Sequence, residues 1–185
     1  LKLLVPYLQQ LEMESNGKAV GLDGQPITYP TGAIVWGGVG TDAQHAVFQL
    51  LHQGTHLIPS EFIAVIKPDH SYSEHHKQLL ANCFGQTTAL MQGQLHDDPA
   101  KVFSGNRPSM VTLLDQLTPQ ALGALLAFYE HRTFAVGRLL NINSFDQMGV
   151  ELGKVLAKSL TRILDGKEGR DGLDPSTKAL LDKIL

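Results

Sequence analysis

Short apolar segments alternate with longer amphipathic segments along the chain, and this alternation restricts the fold more than any other feature. Residues 33–36, 57–66 and 111–114 are rich in branched and aromatic side chains, which favours short buried strands. Segments with helical spacing of apolar residues separate them. Strands that alternate with helices run parallel, because a helical crossover returns the chain to the same end of the sheet. We therefore predict an α/β domain of the three-layer αβα type with a mostly parallel sheet.

The helices are predicted from apolar spacing and from residues typical of helix ends. Thr41 with Gln44, and Ser144 with Gln147, have the spacing of a capping box and indicate two helix starts. The predicted helices span residues 3–13, 41–53, 73–92, 119–140 and 144–164.

The last twenty or so residues differ in composition from the rest. Residues 165–175 contain three glycines and six charged side chains, which is typical of a linker. A short helix is predicted over residues 176–185. We therefore divide the chain into a domain (1–164), a linker (165–175) and a terminal helix (176–185), so that the domain carries a helical carboxy-terminal tail.

Composition excludes several classes of protein. The chain has 185 residues, 43% hydrophobic and 18% charged, with a net charge of -3, so it is globular and has no basic surface for nucleic acid or anionic membranes. Its longest uncharged apolar run, Ala121 to Tyr129, is about half of the roughly 20 residues that a membrane span needs. Cys83 is the single cysteine, which suits a reducing cytoplasm. Because the sequence opens inside an amphipathic segment without a methionine, we expect a piece of a longer protein whose preceding part is unknown.

The segment Gly38 to Ala43 matches the dinucleotide-binding pattern G-x-G-x-x-A, and Glu61 lies where a ribose-binding acid would follow. Backbone N–H groups at a helix start also suit other anions. Since the chain holds 18 glycines, we favour a tight turn or a sugar-phosphate loop here.

Histidine pairs raise the possibility of a metal site. His52 and His56 have the spacing of a zinc helix, but Gly54 between them should end the helix. His75 and His76 are adjacent and point to different sides of a helix. We therefore interpret both pairs as surface histidines and predict neither a metal nor a cofactor.

Three further residues have local properties that suit acid–base chemistry. Glu14, with Gln10 four residues before it, is predicted at a helix C-terminus, where the dipole would raise the pKa of a carboxyl group. His45 is predicted in the first turn of a helix, where the positive dipole end keeps an imidazole neutral. Lys154 is predicted beside Glu151 on the polar side of a helix. A solvent-exposed acid, a surface histidine and a surface ion pair explain each residue equally well when taken alone.

Taken together, six segments resemble the glucose-6-phosphate isomerase (phosphoglucose isomerase) family in order and spacing. The resemblance extends from about residue 4 to residue 165 and is strongest in the last segment. The segments are Met13–Lys18, Gly40–Ala46, His52–Thr55, Val102–Pro108, Tyr129–His131 and Ser144–Lys154.

The resemblance implies an aldose–ketose isomerase that interconverts glucose 6-phosphate and fructose 6-phosphate through a cis-enediol. It implies that Glu14 transfers the proton between C1 and C2, that His45 and Lys154 assist ring opening, and that Gln10 contacts the substrate.

The family also implies features that this chain does not carry alone. Members contain two sugar-isomerase (SIS) domains, and the serine- and threonine-rich phosphate loop belongs to the first. The chain resembles the carboxy-terminal SIS domain, so we expect it to be nearly inactive by itself. Members are dimers in which the histidine, here His45, reaches the active site of the neighbouring subunit.

A different class of function stays open, namely a regulatory SIS module that binds a sugar phosphate without converting it. Such a module needs its own hydroxyl-rich loop after a strand, and Gly37 to Thr41 offers a single hydroxyl. It would also have no use for the acid, histidine and lysine set.

Overall fold

The computed structural model describes residues 1–185 as two compact units, which divide between Ser144 and Phe145. The second unit, Phe145–Leu185, holds two helices, α5 (Glu151–Leu164) and α6 (Pro175–Leu181). The division into domain, linker and terminal helix stays a prediction. None of the helices in the chain is both long enough and apolar enough to cross a membrane.

The first unit, Leu1–Ser144, contains the strands and most helices. Its elements are α1 (Leu4–Leu8), a π-helix (Gln9–Glu14), α2 (Gly40–Gln53), β1 (Ser60–Lys67), α3 (Ser73–Gln92), a 3₁₀ turn (Pro99–Lys101), β2 (Ser109–Gln116) and α4 (Pro119–Leu139).

The two strands pair in parallel, as predicted. Ser60 lies opposite Ser109, and the pairing continues to Lys67 opposite Gln116. Helix α3 lies between them in sequence and packs against both strands. The α3 crossover is what allows the parallel arrangement, since a tight hairpin could join only antiparallel strands.

Helices cover both faces of the sheet. On one face, Ile63 of β1 packs against a core that includes Leu8 of α1 and Tyr129 of α4. Its sequence neighbour Phe62 packs on the opposite face, against Phe48 of α2 and buried residues of α2 and α3. Because successive strand residues point to opposite faces, β1 serves two cores at once. The prediction of an α/β fold in three layers is confirmed.

The strand predicted at residues 33–36 is wrong. Ile34 is 83% exposed, and no strand pairs with this segment. The backbone of Val35 is instead bonded by side chains of the preceding helix: its carbonyl accepts from Gln9 Nε2 at 3.0 Å, and its N–H lies 3.4 Å from Met13 Sδ. An apolar run becomes a strand only where another strand supplies a hydrogen-bonding edge.

Both predicted capping boxes are also wrong. Helix α2 begins at Gly40, before Thr41, and no side chain caps its start. Helix α5 begins at Glu151, seven residues after Ser144. The Ser144 hydroxyl donates to Asn16 Oδ1 at 2.6 Å, so its tertiary partner replaces the local one.

The helix predicted over residues 3–13 changes type halfway. It is α-helical to Leu8 and then forms a π-helix from Gln9 to Glu14. Apolar periodicity predicts a helix but does not distinguish these forms. Single π-turns are rare and frequently lie at functional sites.

Candidate active site

The π-helix presents two predicted site residues, Gln10 and Glu14, to solvent. Glu14 is its last residue, so the expected position at a helix C-terminus is confirmed. Lys18 Nζ donates to the backbone carbonyls of Glu14 and Ser15 at 2.7 Å each. A cation at the C-terminus satisfies carbonyls that have no partner in the helix, which fixes where the segment ends.

A buried carboxylate anchors the inner side of this segment. Glu12 is 6% exposed and is the one buried residue of the π-helix. Its Oε1 accepts from Arg132 Nε at 3.2 Å and from Arg132 Nη2 at 3.1 Å. A buried carboxylate requires such a charged partner, because desolvation without one costs several kcal/mol.

Arg132 in turn is held by the sheet and by its own helix. Its Nη1 donates to Glu61 Oε2 at 3.2 Å, and its guanidinium lies 4.6 Å from the centre of the Tyr129 ring. Glu61 Oε1 accepts from the Tyr129 hydroxyl at 2.8 Å and from Thr112 Oγ1 at 3.0 Å. One network therefore connects β1, β2 and α4 to the π-helix.

The same network shifts the titration of Tyr129. Burial raises the pKa of its hydroxyl far above the usual range, and the bond to Glu61 and the negative charge of Glu61 raise it further. The positive charge of Arg132 acts in the opposite direction. Tyr129 thus remains a protonated donor to Glu61 throughout the neutral pH range.

Asn16 holds the chain just after Glu14. It is fully buried; its Nδ2 donates to the Thr133 carbonyl at 3.1 Å, and its Oδ1 accepts from Ser144. Gly32, at φ 63°, packs so closely that a Cβ there would lie 2.7 Å from the Gly17 Cα. These contacts leave the backbone around Glu14 little freedom, while the Glu14 side chain itself faces solvent.

His45 lies on helix α2, exposed, at the edge of a cavity of about 410 Å³. Its lining includes histidine and glutamine side chains together with Phe48 and Phe103. His45 lies on a different element from Glu14. The expectation that His45 serves a neighbouring subunit stays a prediction.

His52, interpreted from its spacing as a surface residue, is buried. It is 7% exposed, its Nε2 lies 3.0 Å from Gln86 Oε1, and its ring contacts Phe48 and Phe103. His52 is therefore a satisfied core histidine, placed inside by the packing of α2 on α3. No group of three or more histidine, cysteine, aspartate or glutamate side chains is arranged to hold a metal ion.

The dinucleotide pattern at Gly38 to Ala43 lacks its structural context. No strand precedes it, and the Glu61 carboxylate is occupied by Arg132, Tyr129 and Thr112. Gly38 instead lies in the segment before α2, and Gly40 is the first residue of α2.

Lys154 lies in the second unit, on α5. It is exposed, and its Nζ is 2.7 Å from Glu151 Oε1, the ion pair that i, i+3 spacing predicts. The convergence of Glu14, His45 and Lys154 on one substrate stays a prediction, as do their catalytic roles.

Sequence reasoning missed the network beneath Glu14. Glu12 and Asn16 are four residues apart, a spacing that hints at a local pair, and their side chains do approach at 3.5 Å. Glu12 and Arg132, however, are 120 residues apart, and no local pattern connects them. The sequence singles out Glu61 only for its distance from the glycines of the Gly38 to Ala43 segment.

Comparisons with known proteins point to the same family as the order of the motifs. The family model described as phosphoglucose isomerase matches residues 1–181. Proteins named glucose-6-phosphate isomerase from Rhizorhabdus wittichii and Zymomonas mobilis are 61% and 62% identical over the whole chain, which spans 36% of the length of each. The crystal structure of a glucose-6-phosphate isomerase from Chlamydia trachomatis superposes with a TM-score of 0.83 at 40% identity, over 99% of this chain and 35% of that one.

The similarity thus includes both the sequence and the arrangement of helices and strands. Because one family model accounts for residues 1–181 and the relatives match the whole length of the chain, this chain belongs to the phosphoglucose isomerase family.

Proposed function

We propose that the protein containing this chain interconverts glucose 6-phosphate and fructose 6-phosphate. The observation that carries the proposal is the family match over residues 1–181. It is supported by the exposed Glu14 carboxylate on a segment whose backbone is held by buried contacts.

The proposed reaction uses Glu14 as a single base for two proton transfers. Its carboxylate removes the proton from C2 of the open-chain aldose. The C2–H electron pair then forms the C1=C2 double bond, and the carbonyl oxygen at C1 gains a proton, which gives a cis-enediol. Glu14 then returns its proton to C1, while the hydroxyl at C2 loses its proton and becomes the ketose carbonyl. One base suffices because C1 and C2 are adjacent and the proton leaves and returns on the same face of the planar cis-enediol, as in other isomerases with a glutamate base.

The other site residues have supporting roles in this proposal. Gln10 contacts the substrate, and Lys154 and His45 assist opening of the sugar ring by proton transfer and charge stabilisation. His45 comes from the second subunit of a homodimer. The phosphate group is bound by the amino-terminal SIS domain of the complete protein. We also propose a cytoplasmic location, which suits a chain with the single cysteine Cys83.

The test of this assignment is Glu14→Gln in the complete protein. The variant keeps the shape and polarity of the side chain but cannot take up a proton, so kcat should fall by about 10²–10⁴-fold. Coupled assay of fructose 6-phosphate formation measures the loss. Glu74→Gln is the matched control, because Glu74 is an exposed acid paired with Lys77 on α3 and should leave kcat unchanged. Full turnover of Glu14→Gln would remove Glu14 from this role.

Exchange of the C2 proton distinguishes the isomerase from a regulatory sugar-phosphate module. Incubation of the complete protein with glucose 6-phosphate in D₂O should introduce deuterium at C2, because the proton on Glu14 exchanges with solvent during the enediol stage. A module that only binds the sugar phosphate leaves C2 unlabelled. Binding without exchange would therefore contradict the isomerase and favour the module.

A further inference from the structure

The π-helix that carries Gln10 and Glu14 is attached to the rest of the fold in an unusual way. An isolated π-turn is not a favoured local structure, so tertiary contacts must hold it. Its one buried side chain is Glu12, a carboxylate rather than an apolar residue. Leu11 of the same turn packs, partly buried, against the apolar core, so the buried Glu12 and the group that pairs with it supply the polar anchor of the turn.

That group is Arg132. It donates two hydrogen bonds to one oxygen of Glu12, at 3.1 and 3.2 Å, and a third to Glu61 at 3.2 Å. Because five donors lie in one rigid plane, an arginine held at one end fixes the direction of its bonds at the other. A lysine has one nitrogen and cannot reproduce this arrangement.

The position of Arg132 is itself fixed by the core. Glu61 belongs to β1 and accepts from Tyr129, which is fully buried, and from Thr112 of β2. The Tyr129 ring also supports the face of the guanidinium. The sheet therefore holds Arg132 in place, and Arg132 holds Glu12. Glu12 in turn fixes the backbone that carries Glu14 two residues later.

We infer that Arg132 is a positioning residue that sets the location of Glu14 through Glu12, without contacting the substrate. The inference rests on the proposed function, in which Glu14 must meet C1 and C2 in turn. A base displaced by about 1 Å can lose about 10²-fold in rate, even when the substituted residue is remote from the reaction.

The first test is Arg132→Met in the complete protein. We expect kcat to fall by about 10²-fold with KM within about threefold, because the phosphate and sugar contacts remain while the base is misplaced. Arg132→Lys should retain more activity than Arg132→Met but less than the unsubstituted protein. Lys67→Met is the control: it removes an exposed ion pair with Asp115 from the same sheet and should leave kcat unchanged.

A double variant separates positioning from folding. Arg132→Met leaves the buried Glu12 charge without a cationic partner, with only Asn16 Nδ2 at 3.5 Å, which destabilises the fold. Glu12→Gln combined with Arg132→Met removes that charge and restores stability, but the anchor stays absent. We expect the kcat of this double variant to remain at least about tenfold below that of the unsubstituted protein. A thermally stable double variant with normal kcat would overturn the inference, since Arg132 would then serve folding alone.

Amide hydrogen exchange tests the positioning role of Arg132 independently of the proposed isomerase activity. Amides of residues 9–18 should exchange at least about tenfold faster in the double variant, while those of α3 stay unchanged. If the unsubstituted protein fails to isomerise glucose 6-phosphate, the proposed function is wrong and exchange alone decides whether Arg132 holds the turn. Unchanged exchange over residues 9–18 would overturn the inference whatever the activity.

Discussion

At the scale of single residues, Tyr129 shows how one hydroxyl contributes to stability. It is fully buried and donates to Glu61 at 2.8 Å. Tyr129→Phe removes this donor and leaves the ring in place. Because hydrogen bonds to charged groups are worth about 1.5–3 kcal/mol, we expect the free energy of unfolding to fall by that amount in urea titrations. Tyr72→Phe, at an exposed ring, should change it by less than about 0.5 kcal/mol.

The same residue predicts an alkaline limit to stability. The pKa of Tyr129 is raised in the folded protein, chiefly by burial, above the value of about 10 expected when the chain is unfolded. Its contribution is therefore complete below pH 10 and is lost as pH rises toward the folded pKa. The difference in unfolding free energy between the unsubstituted protein and Tyr129→Phe should shrink above about pH 10. A difference that stays constant to pH 11 would contradict this.

Gly137 is needed for packing rather than for its backbone freedom. A Cβ there would lie 1.8 Å from Ser144 Oγ and 3.1 Å from Asn16 Oδ1. Gly137→Ala should separate Ser144 from Asn16 and destabilise the protein by about 1–3 kcal/mol, despite the better helix propensity of alanine. Gly123→Ala in the same helix is the control, since its Cβ would meet nothing within 4 Å. It should stabilise by about 0.5–1 kcal/mol; equal effects of both changes would refute the packing argument.

At the scale of elements, α6 depends on Asp174, the residue that precedes it and caps its start. Asp174 caps the helix by accepting from the Thr177 N–H at 3.0 Å. Hydrogen bonding to the Thr177 side chain, and then to the Thr177 N–H, lowers the pKa of the Asp174 carboxyl group. A lowered pKa means that the stabilisation is complete above the unfolded value of about 3.9 and is lost as pH falls through the folded value.

Two substitutions of Asp174 should distinguish the contribution of its charge to helix stability from that of its hydrogen bond. Asp174→Ala should increase amide exchange in α6 at neutral pH, whereas Asp174→Asn should preserve protection because asparagine caps equally well. Below about pH 4, the amides of α6 should lose protection from exchange only in the unsubstituted protein. If Asn and Ala behave alike at pH 7, the cap does not stabilise this helix.

At the scale of the whole molecule, the chain exposes large apolar side chains on several elements. Leu95 is 89% exposed, Leu139 86% and Ile34 83%. The chain also spans 36% of the length of its relatives, and the proposed amino-terminal domain and second subunit would cover such side chains.

We therefore expect the isolated 185-residue polypeptide to be nearly inactive. Without the proposed phosphate contacts, the substrate is not held with C1 and C2 against Glu14, and turnover should be lower than in the complete protein by at least roughly 10³-fold. Isomerase assays of both polypeptides at equal concentration measure this. Normal turnover by the isolated chain would contradict the proposed division of labour.

The sequence by itself determined the class of fold and the parallel pairing of the strands. The apolar runs of β1 and β2 and the long periodic helices α3 and α4 are locally consistent, so they form where they are predicted. It also determined the family, because the order of several long motifs survives along the chain.

Only the tertiary structure decided which side chains are buried together. His52 is inside because α2 packs on α3, Ser144 bonds Asn16 instead of capping a helix, and residues 33–36 have no strand beside them. The charge network beneath Glu14 is the clearest case, since Glu12 and Arg132 are 120 residues apart. Local patterns reflect the backbone's own preferences, whereas the pairing of distant charges depends on how the elements pack.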